Sequence, residues 1–409
     1  MMKQIRKIME FLGLRRSIMG LLSMVILVGM GEHMAEQFLP VYLLALGGGV
    51  ISIGFLNGMD NLLGALYAFP GGYLSERLGY KRALLIFNVM SMAGFVIVIL
   101  IPKWWAVIVG AALFLSWTAI SLPATMSLVA RVLPKDKRTM GVSVHSLVRR
   151  IPMAVGPMIG GWFIVKWGTV DGVRLAFLGA LAMAVVALIA QQVLIEDEKP
   201  KHRKAAPSVR SMLSLLPRMN PNLRSLLVSD ILIRFCEQIP YAFVVVWSMS
   251  EVAGYHTAQI SAEKFGVLRA IEMATAILIY VPVAYMADRT HKKPFVVMTF
   301  IFFTLFPLML LFSRSFEMLL AAFVLRGLKE FGEPTRKALI MDLAPEDQKA
   351  GMFGVYYLVR DVIVSIAAFG GAFLWKISPE VNFLTAFSFG AIGTAWFAVR
   401  GKDLKANEE

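Results

Sequence analysis

Cysteine, charge and long polar stretches are all scarce in this chain. Of its 409 residues one is a cysteine, Cys236, which excludes an intramolecular disulfide and a cysteine-built metal cluster. Only 17% of the residues are charged, against 58% hydrophobic and a mean hydropathy of +0.69, a balance far too apolar for soluble domains. A soluble enzyme is thereby excluded, and no catalytic residues are expected. No G-x-x-x-x-G-K-S/T segment occurs, so no loop cradles a nucleotide phosphate, ATP is not expected as a driver, and no cofactor is called for. The net charge of +14 is not gathered into a basic run within a soluble fold, which argues against nucleic acid as a partner.

What is present is a series of apolar runs, each long enough to cross ~30 Å of hydrocarbon as a helix. Hydropathy and Gly/Pro/charge punctuation place them near 17–46, 50–75, 83–101, 104–130, 140–166, 174–195, 224–250, 258–287, 294–313, 315–342, 352–376 and 380–400. The expected fold is therefore all-α and polytopic, with twelve transmembrane helices. Of the 41 Lys and Arg, 28 fall on the side of the termini and 6 on the other, which predicts cytoplasmic termini for a multi-pass plasma (inner) membrane protein. Met1 to Arg16 reads as a short interfacial anchor, and the first span as a retained helix rather than a cleaved signal. The longest polar stretch, Glu196 to Arg224, lies near mid-chain and predicts three parts: a six-helix bundle over 1–195, a cytoplasmic linker over 196–223 that carries its own amphipathic segment, and a second six-helix bundle over 224–409.

The two halves echo each other. A shift of 211 residues superimposes Pro123, Leu128, Pro134, Asp136 and Leu147-Val148-Arg149 on Pro334, Leu339, Pro345, Asp347 and Leu358-Val359-Arg360. A shift of 212 brings GYLSERLGYKR, from Gly72 to Arg82, onto AYMADRTHKKP, from Ala284 to Pro294. Parallel six-helix repeats joined by a basic linker suit a transporter in which two halves rock around a central site.

The Gly72–Arg82 segment resembles the loop signature G-x-L-x-D-R-x-G-R-K/R of the major facilitator superfamily, with Glu76 in place of the usual Asp and Tyr80 in place of a base. In the second half Asp288, Arg289 and a lysine, Lys292 or Lys293, survive from that pattern. Gly156-Pro157-Met158-Ile159-Gly160-Gly161 is similar to the G-P-x-x-G-G end of a motif of that family's proton-driven exporters, although Pro152 stands where the upstream glycine belongs. The resemblance implies an alternating-access transporter with a cavity lined mainly by helices one, four, seven and ten. It also implies gating by Gly72, Glu76, Arg77, Gly79, Asp288 and Arg289, and by Gly156, Pro157, Gly160 and Gly161 in the fifth span. Two plainer readings remain beside it: basic loops orient helices in any case, and glycines serve close packing.

Charge in lipid is costly, so its placement marks the helices that face a polar interior. Glu32 and Glu36, one turn apart, and Asp60 are candidates to load and release a proton, since like charges in a low dielectric raise a carboxyl pKa. Pairing with arginines would equally account for them, and His33 between them completes no metal site. Arg149 and Arg360, related by the repeat, could clamp an anionic group or serve as ion-pair partners. Asp230, Arg234 and Glu237, and likewise Arg326, Lys329, Glu330 and Glu333, are spaced as helical ion-pair ladders; Glu237, Arg326 and Glu330 are also candidates to line a substrate cavity. The expected function is secondary transport, with proton-coupled efflux of amphipathic or organic small molecules ahead of symport or exchange of organic anions, a lipid flippase, or a receptor that does not transport. Its partners would be a small-molecule substrate, protons and membrane lipids.

Overall fold

The computed structural model describes residues 16–115, 117, 138–195, 214–287, 291–345 and 349–402. Regular structure among them is helical, with one isolated β-bridge between Val252 and Tyr255. In lipid every backbone polar group needs an internal partner, and uninterrupted apolar runs satisfy that need as helices.

The first half contains α1 (Arg16–Glu36), α2 (Leu39–Ala45), α3 (Val50–Leu78), α4 (Tyr80–Leu100), α5 (Trp104–Phe114) and α6 (Arg138–Leu194). The second contains α7 (Pro221–Gln238), α8 (Phe243–Met249), α9 (Ala262–Ala287), α10 (Lys292–Phe312), α11 (Phe316–Leu328), α12 (Glu333–Asp342), α13 (Lys349–Ile377) and α14 (Pro379–Arg400). Starts are signalled locally: Asn220, Ser315 and Ser378 each accept a backbone N–H of the first turn, and a proline follows Asn220 and Ser378.

Among the described residues six helical stretches are long and apolar enough to cross a membrane: Lys81–Leu100, Val148–Leu194, Pro221–Met249, Lys292–Phe312, Gly351–Ile377 and Pro379–Arg400. The second of these holds both the fifth and sixth expected spans, which meet at Gly168, where a φ of 80° reverses the chain without a loop. Gly79, with φ 82°, makes the same kind of sharp junction between α3 and α4. The other five expected spans coincide with α1 and α2, with α3, with α5, with α9, and with α11 and α12; several of these are interrupted or carry charge. The expected interfacial segment before Arg16, residues 196–213 of the linker and the end of the fourth span lie outside the described residues.

Three expected spans are broken mid-way: α1 from α2 at Gln37–Phe38, α7 from α8 at 239–242, and α11 from α12 at 329–332. Prolines at 40, 240 and 334 lie at or just after these breaks, where a missing N–H and a fixed φ end regular pairing. At the second break the Gln238 carbonyl accepts from Asn57 Nδ2 at 3.1 Å, and the Ile239 carbonyl from Asn382 Nδ2 at 3.3 Å. Asn382 also donates to the Gly371 carbonyl at 2.8 Å. Side-chain amides thus replace helical partners at a buried position.

Contacts divide the chain into two units, Met1–Gly47 with Leu66–Ala206 and Ser261–Val267, and Gly48–Ala65 with Pro207–Ile260 and Leu268–Glu409. Each unit therefore takes in one short segment of the other half of the sequence. In the first, α1 packs along α6, and Leu21, Met24, Val25 and Val28 meet Leu84, Phe87, Trp117 and Ala187. A buried polar relay crosses this core: Trp117 donates to Asn88 at 2.8 Å, Asn88 to Gln191 at 2.6 Å, and Gln191 to the Lys81 carbonyl at 2.9 Å. In the second, α7, α10, α12, α13 and α14 share a core that includes Leu223, Leu226, Phe300, Leu339, Met352, Val355 and Phe397. Phe243 stacks on Trp375 at 4.6 Å, and Trp247 and Phe383 close the cluster edge-on.

Candidate functional site

In the first unit Glu32 is 5% exposed on α1, and one turn on the Glu36 carboxylate meets His33 Nδ1 at 2.8 Å. The glycines of the fifth span lie against this stretch. A Cβ on Gly156 would meet His33 and Met34, and one on Gly160 would overlap the Met34 carbonyl, so α6 can approach α1 this closely only without side chains there. Gly161 faces the start of α9 in the same way, against Ala262 and Glu263, while the backbone at Pro157 and Met158 faces Gly266. The G-P-x-x-G-G segment is thus a three-way contact of α6 with α1 and with the opening turns of α9.

Of the loop signature, Gly72, Glu76 and Arg77 fall in the last turns of α3, and Gly79 makes the turn into α4. Arg77 is exposed; Lys81 donates to the Gln192 carbonyl at 2.9 Å, within the same unit. In the second half Asp288 and Arg289 lie outside the described residues, and Lys292 forms a salt bridge with Asp342 at the end of α12. Arg149 and Asp60 are half-buried, on α6 and α3 respectively.

Most of the buried charge gathers in the second unit as one connected chain. Asp230 on α7 is 1% exposed and bonds directly to Arg336 of α12; it also accepts from Arg360 of α13 at 3.3 Å and from the Tyr356 hydroxyl at 3.0 Å. Arg336 grips Glu333 through two nitrogens, at 2.6 and 3.1 Å. Glu333 reaches Arg234 at 3.4 Å, and Arg234 holds Glu237 at 2.6 Å. Glu237 bonds Lys329 at 2.7 Å, and Lys329 lies 3.9 Å from Glu272, which is paired directly with Arg269. At the far end Arg360 also bonds Asp361 at 2.7 Å and lies over the Tyr357 ring at 4.2 Å. So many charges persist in helices that cross a membrane because Asp230, Glu237, Glu272 and Glu333 each meet two or more cations.

Arg326 stands apart from this pattern. It is 5% exposed, and its single ion pair runs from Nε to Glu272 at 3.5 Å, too long for a hydrogen bond. Rings surround it instead: Phe306 at 5.0 Å, Tyr241 at 5.4 Å and Phe323 at 5.8 Å from the guanidinium carbon. It lines a cavity of ≈ 10 Å³ with Glu237, Lys329, Val244, Phe302, Phe303 and Phe306, room for about one water-sized group. Glu330, one residue past Lys329, is half-buried and does not line this cavity.

The structure therefore brings Glu237 and Arg326 together at one recess and draws Arg360 into the ion chain. It keeps Glu32 and Glu36 in the other unit. Sequence reasoning missed Arg336, the most buried cation of the chain, and Tyr356. Arg336 follows Glu333 at i,i+3, the helical-pair spacing that could have found it. Tyr356 gave no such signal, because a tyrosine in an apolar span reads as packing.

The chain matches the Major Facilitator Superfamily over residues 21–262 and 241–409. It is 21% identical over 367 residues to the uncharacterised MFS-type transporter MJ1317 of Methanocaldococcus jannaschii, covering 87% of each chain. It is 32% identical over 153 residues to the inner membrane transport protein YajR of Escherichia coli K12, covering 36% of this chain and 33% of that one. Among solved structures it is similar to the nucleoside transporter NupG, with TM-score 0.79, 11% identity and coverage of 94% and 100%. It is also similar to a POT peptide transporter in complex with alafosfalin, with TM-score 0.76, 16% identity and coverage of 95% and 94%. With an all-α, multi-pass fold of paired helical units and a family match along nearly its whole length, the chain belongs to the Major Facilitator Superfamily of membrane transporters.

Proposed function

We propose that this transporter is a proton-coupled exporter of amphipathic or organic small molecules, working by alternating access in the plasma (inner) membrane with both termini cytoplasmic. The observation that carries the reading is the burial of Glu32 in α1, one turn from the Glu36–His33 pair, in a helix otherwise nearly all apolar. A carboxylate buried in such a helix is suited to carrying a proton between the two sides. Glu32, Glu36 and Asp60 are the coupling groups in this proposal. Export rather than uptake is supported by the G-P-x-x-G-G segment and its contact with both α1 and α9. The end of α3 with Gly79, and the Asp288–Arg289 segment, would act as the cytoplasmic gates. A bundle over 1–195, a linker over 196–223 and a bundle over 224–409 would be the moving parts.

Reconstituted vesicles with an imposed pH gradient test the proposal. A transported substrate should dissipate the gradient with wild-type protein, and Glu32→Gln, Glu36→Gln or both should abolish that coupling while the protein still inserts and binds substrate. Coupling that survives in the double variant removes these carboxylates from the mechanism.

Exchange of organic anions is the second reading. The thinly paired Arg326 guanidinium at its recess favours it.

A further inference from the structure

We infer that Arg326 reads the head group of the transported molecule, and that this head group is a carboxylate carried on an apolar or aromatic body. The inference rests on the transport reading above and adds to it the chemical class of the substrate and the residue that selects it.

A guanidinium has five N–H donors in a planar fork and stays charged at any physiological pH. Every other cation of the ion chain in the second unit has a carboxylate in hydrogen-bond range or in direct contact: Arg336 has Asp230 and Glu333, Arg234 has Glu237, Arg360 has Asp361, Lys329 has Glu237, and Arg269 has Glu272. Arg326 has only the Glu272 oxygen at 3.5 Å, and Glu272 is already matched by Arg269 and approached by Lys329. At 5% exposure it is also cut off from bulk water. Phe306, Tyr241 and Phe323 stabilise its charge through their ring faces but accept none of its N–H bonds. Arg326 therefore has donors to spare at a recess in a low-dielectric wall, where an acceptor is worth most.

The recess defines what that acceptor is. Its ≈ 10 Å³ admits one oxygen of the head group, which leaves the second oxygen to meet the guanidinium fork beside it. A planar two-oxygen carboxylate matches the guanidinium fork, whereas a lone hydroxyl or amide oxygen engages one donor. Val244, Phe302, Phe303 and Phe306 make most of the recess wall apolar and aromatic, which suits a ligand whose charge is confined to its head group. Glu237, also in the wall, does not repel the anion strongly, because Arg234 and Lys329 hold it at 2.6 and 2.7 Å. Lys329 lines the same recess and supplies a second positive charge.

The test is a thermal-shift series on the full-length protein purified in detergent. The probes are phenylacetate and phenylbutyrate, their neutral amides phenylacetamide and phenylbutyramide, and inorganic sulfate. The two carboxylates should raise the melting temperature saturably and the amides should not. Arg326→Lys should weaken carboxylate half-saturation about tenfold, because a point charge cannot reproduce the fork. Arg326→Gln should abolish the shift, and Phe306→Ala should weaken phenylbutyrate more than sulfate. The lysine variant keeps the buried charge and so decides the matter if the glutamine variant does not fold. Equal shifts with amides and carboxylates, no shift with either carboxylate, or unchanged carboxylate binding in Arg326→Lys each overturn the inference. Gradient-driven flux of other compounds that is intact in Arg326→Lys, together with unchanged carboxylate binding, overturns the head-group role while sparing coupled transport. Arg326-dependent carboxylate binding without gradient-driven flux has the opposite meaning: the head-group site stands and the coupling proposal falls.

Discussion

Asp230 and Arg336, both 1% exposed, are joined directly between α7 and α12, and each is also held by further partners. Asp230 bonds Arg360 and Tyr356, while Arg336 bonds Glu333. The pair is the junction at which three helices of the second unit share charge.

Asp230→Asn should therefore lower stability by about 3–5 kcal/mol, since it leaves Arg336 and Arg360 buried beside a neutral amide. Combining it with Arg336→Met should recover part of the loss, giving a coupling of about 1–3 kcal/mol in a double-mutant cycle followed by thermal unfolding. Strict additivity of the two changes would show that the pair is not the junction described.

Glycine substitutions should separate packing from backbone freedom. Gly160→Ala places a methyl group on the Met34 carbonyl and should destabilise by about 1–3 kcal/mol. Gly64→Ala, in the interior of α3 with nothing within 4 Å of the added atom, should be neutral or stabilise by about 0.5–1 kcal/mol. Comparing melting temperatures of the two variants checks the claim, and similar losses at both sites would refute it.

Asn382→Leu, close to isosteric, removes the donor that reaches the Ile239 and Gly371 carbonyls. An expected cost of about 1–3 kcal/mol follows from leaving buried acceptors without that partner. Hydrogen exchange should rise at the α7–α8 break first; uniform loosening of the whole unit would point elsewhere.

The loop between α8 and α9 carries a pH-dependent contact. The Tyr255 hydroxyl donates to the Glu380 carboxylate, and that bond holds the phenol above its ordinary value of 10.0. A phenol raised in the folded state contributes stability that is fully present below pH 10 and is lost as pH rises through the folded value. The difference in tyrosinate absorbance between wild type and Tyr255→Phe should titrate with a midpoint above 10.0, and a midpoint at or below it would contradict the contact.

Much of this architecture was legible in advance. Apolar runs read correctly as an all-α membrane fold, because lipid leaves the backbone few alternatives. The helix breaks were less visible. Pro240 and Pro334 were in plain sight, yet proline within an apolar run is tolerated in many transmembrane helices, and only long-range partners such as Asn57 and Asn382 show that the ladder opens here. Spacing along one helix correctly linked Arg234 with Glu237, while Arg336, three residues after Glu333, went unread. It could not link Asp230 to Arg336, 106 residues away, since that partnership depends on how α7 and α12 pack. The isolation of Arg326 was hidden for the same reason: on paper it sits in a run of alternating charges and resembles its neighbours.

The amides at the α7–α8 break also set an order for assembly during synthesis. Asn57 precedes its acceptor by 181 residues and is already in place when α7 enters the membrane. Asn382 follows Ile239 by 143 residues, in α14, the last helix among the described residues. Until α14 arrives, the Ile239 carbonyl has no amide from that side, and the broken span is held by one anchor of two. α14 thus acts as a keystone for a segment made much earlier, and a chain halted before it would expose its weakest point where the quality-control machinery of the membrane can act on it.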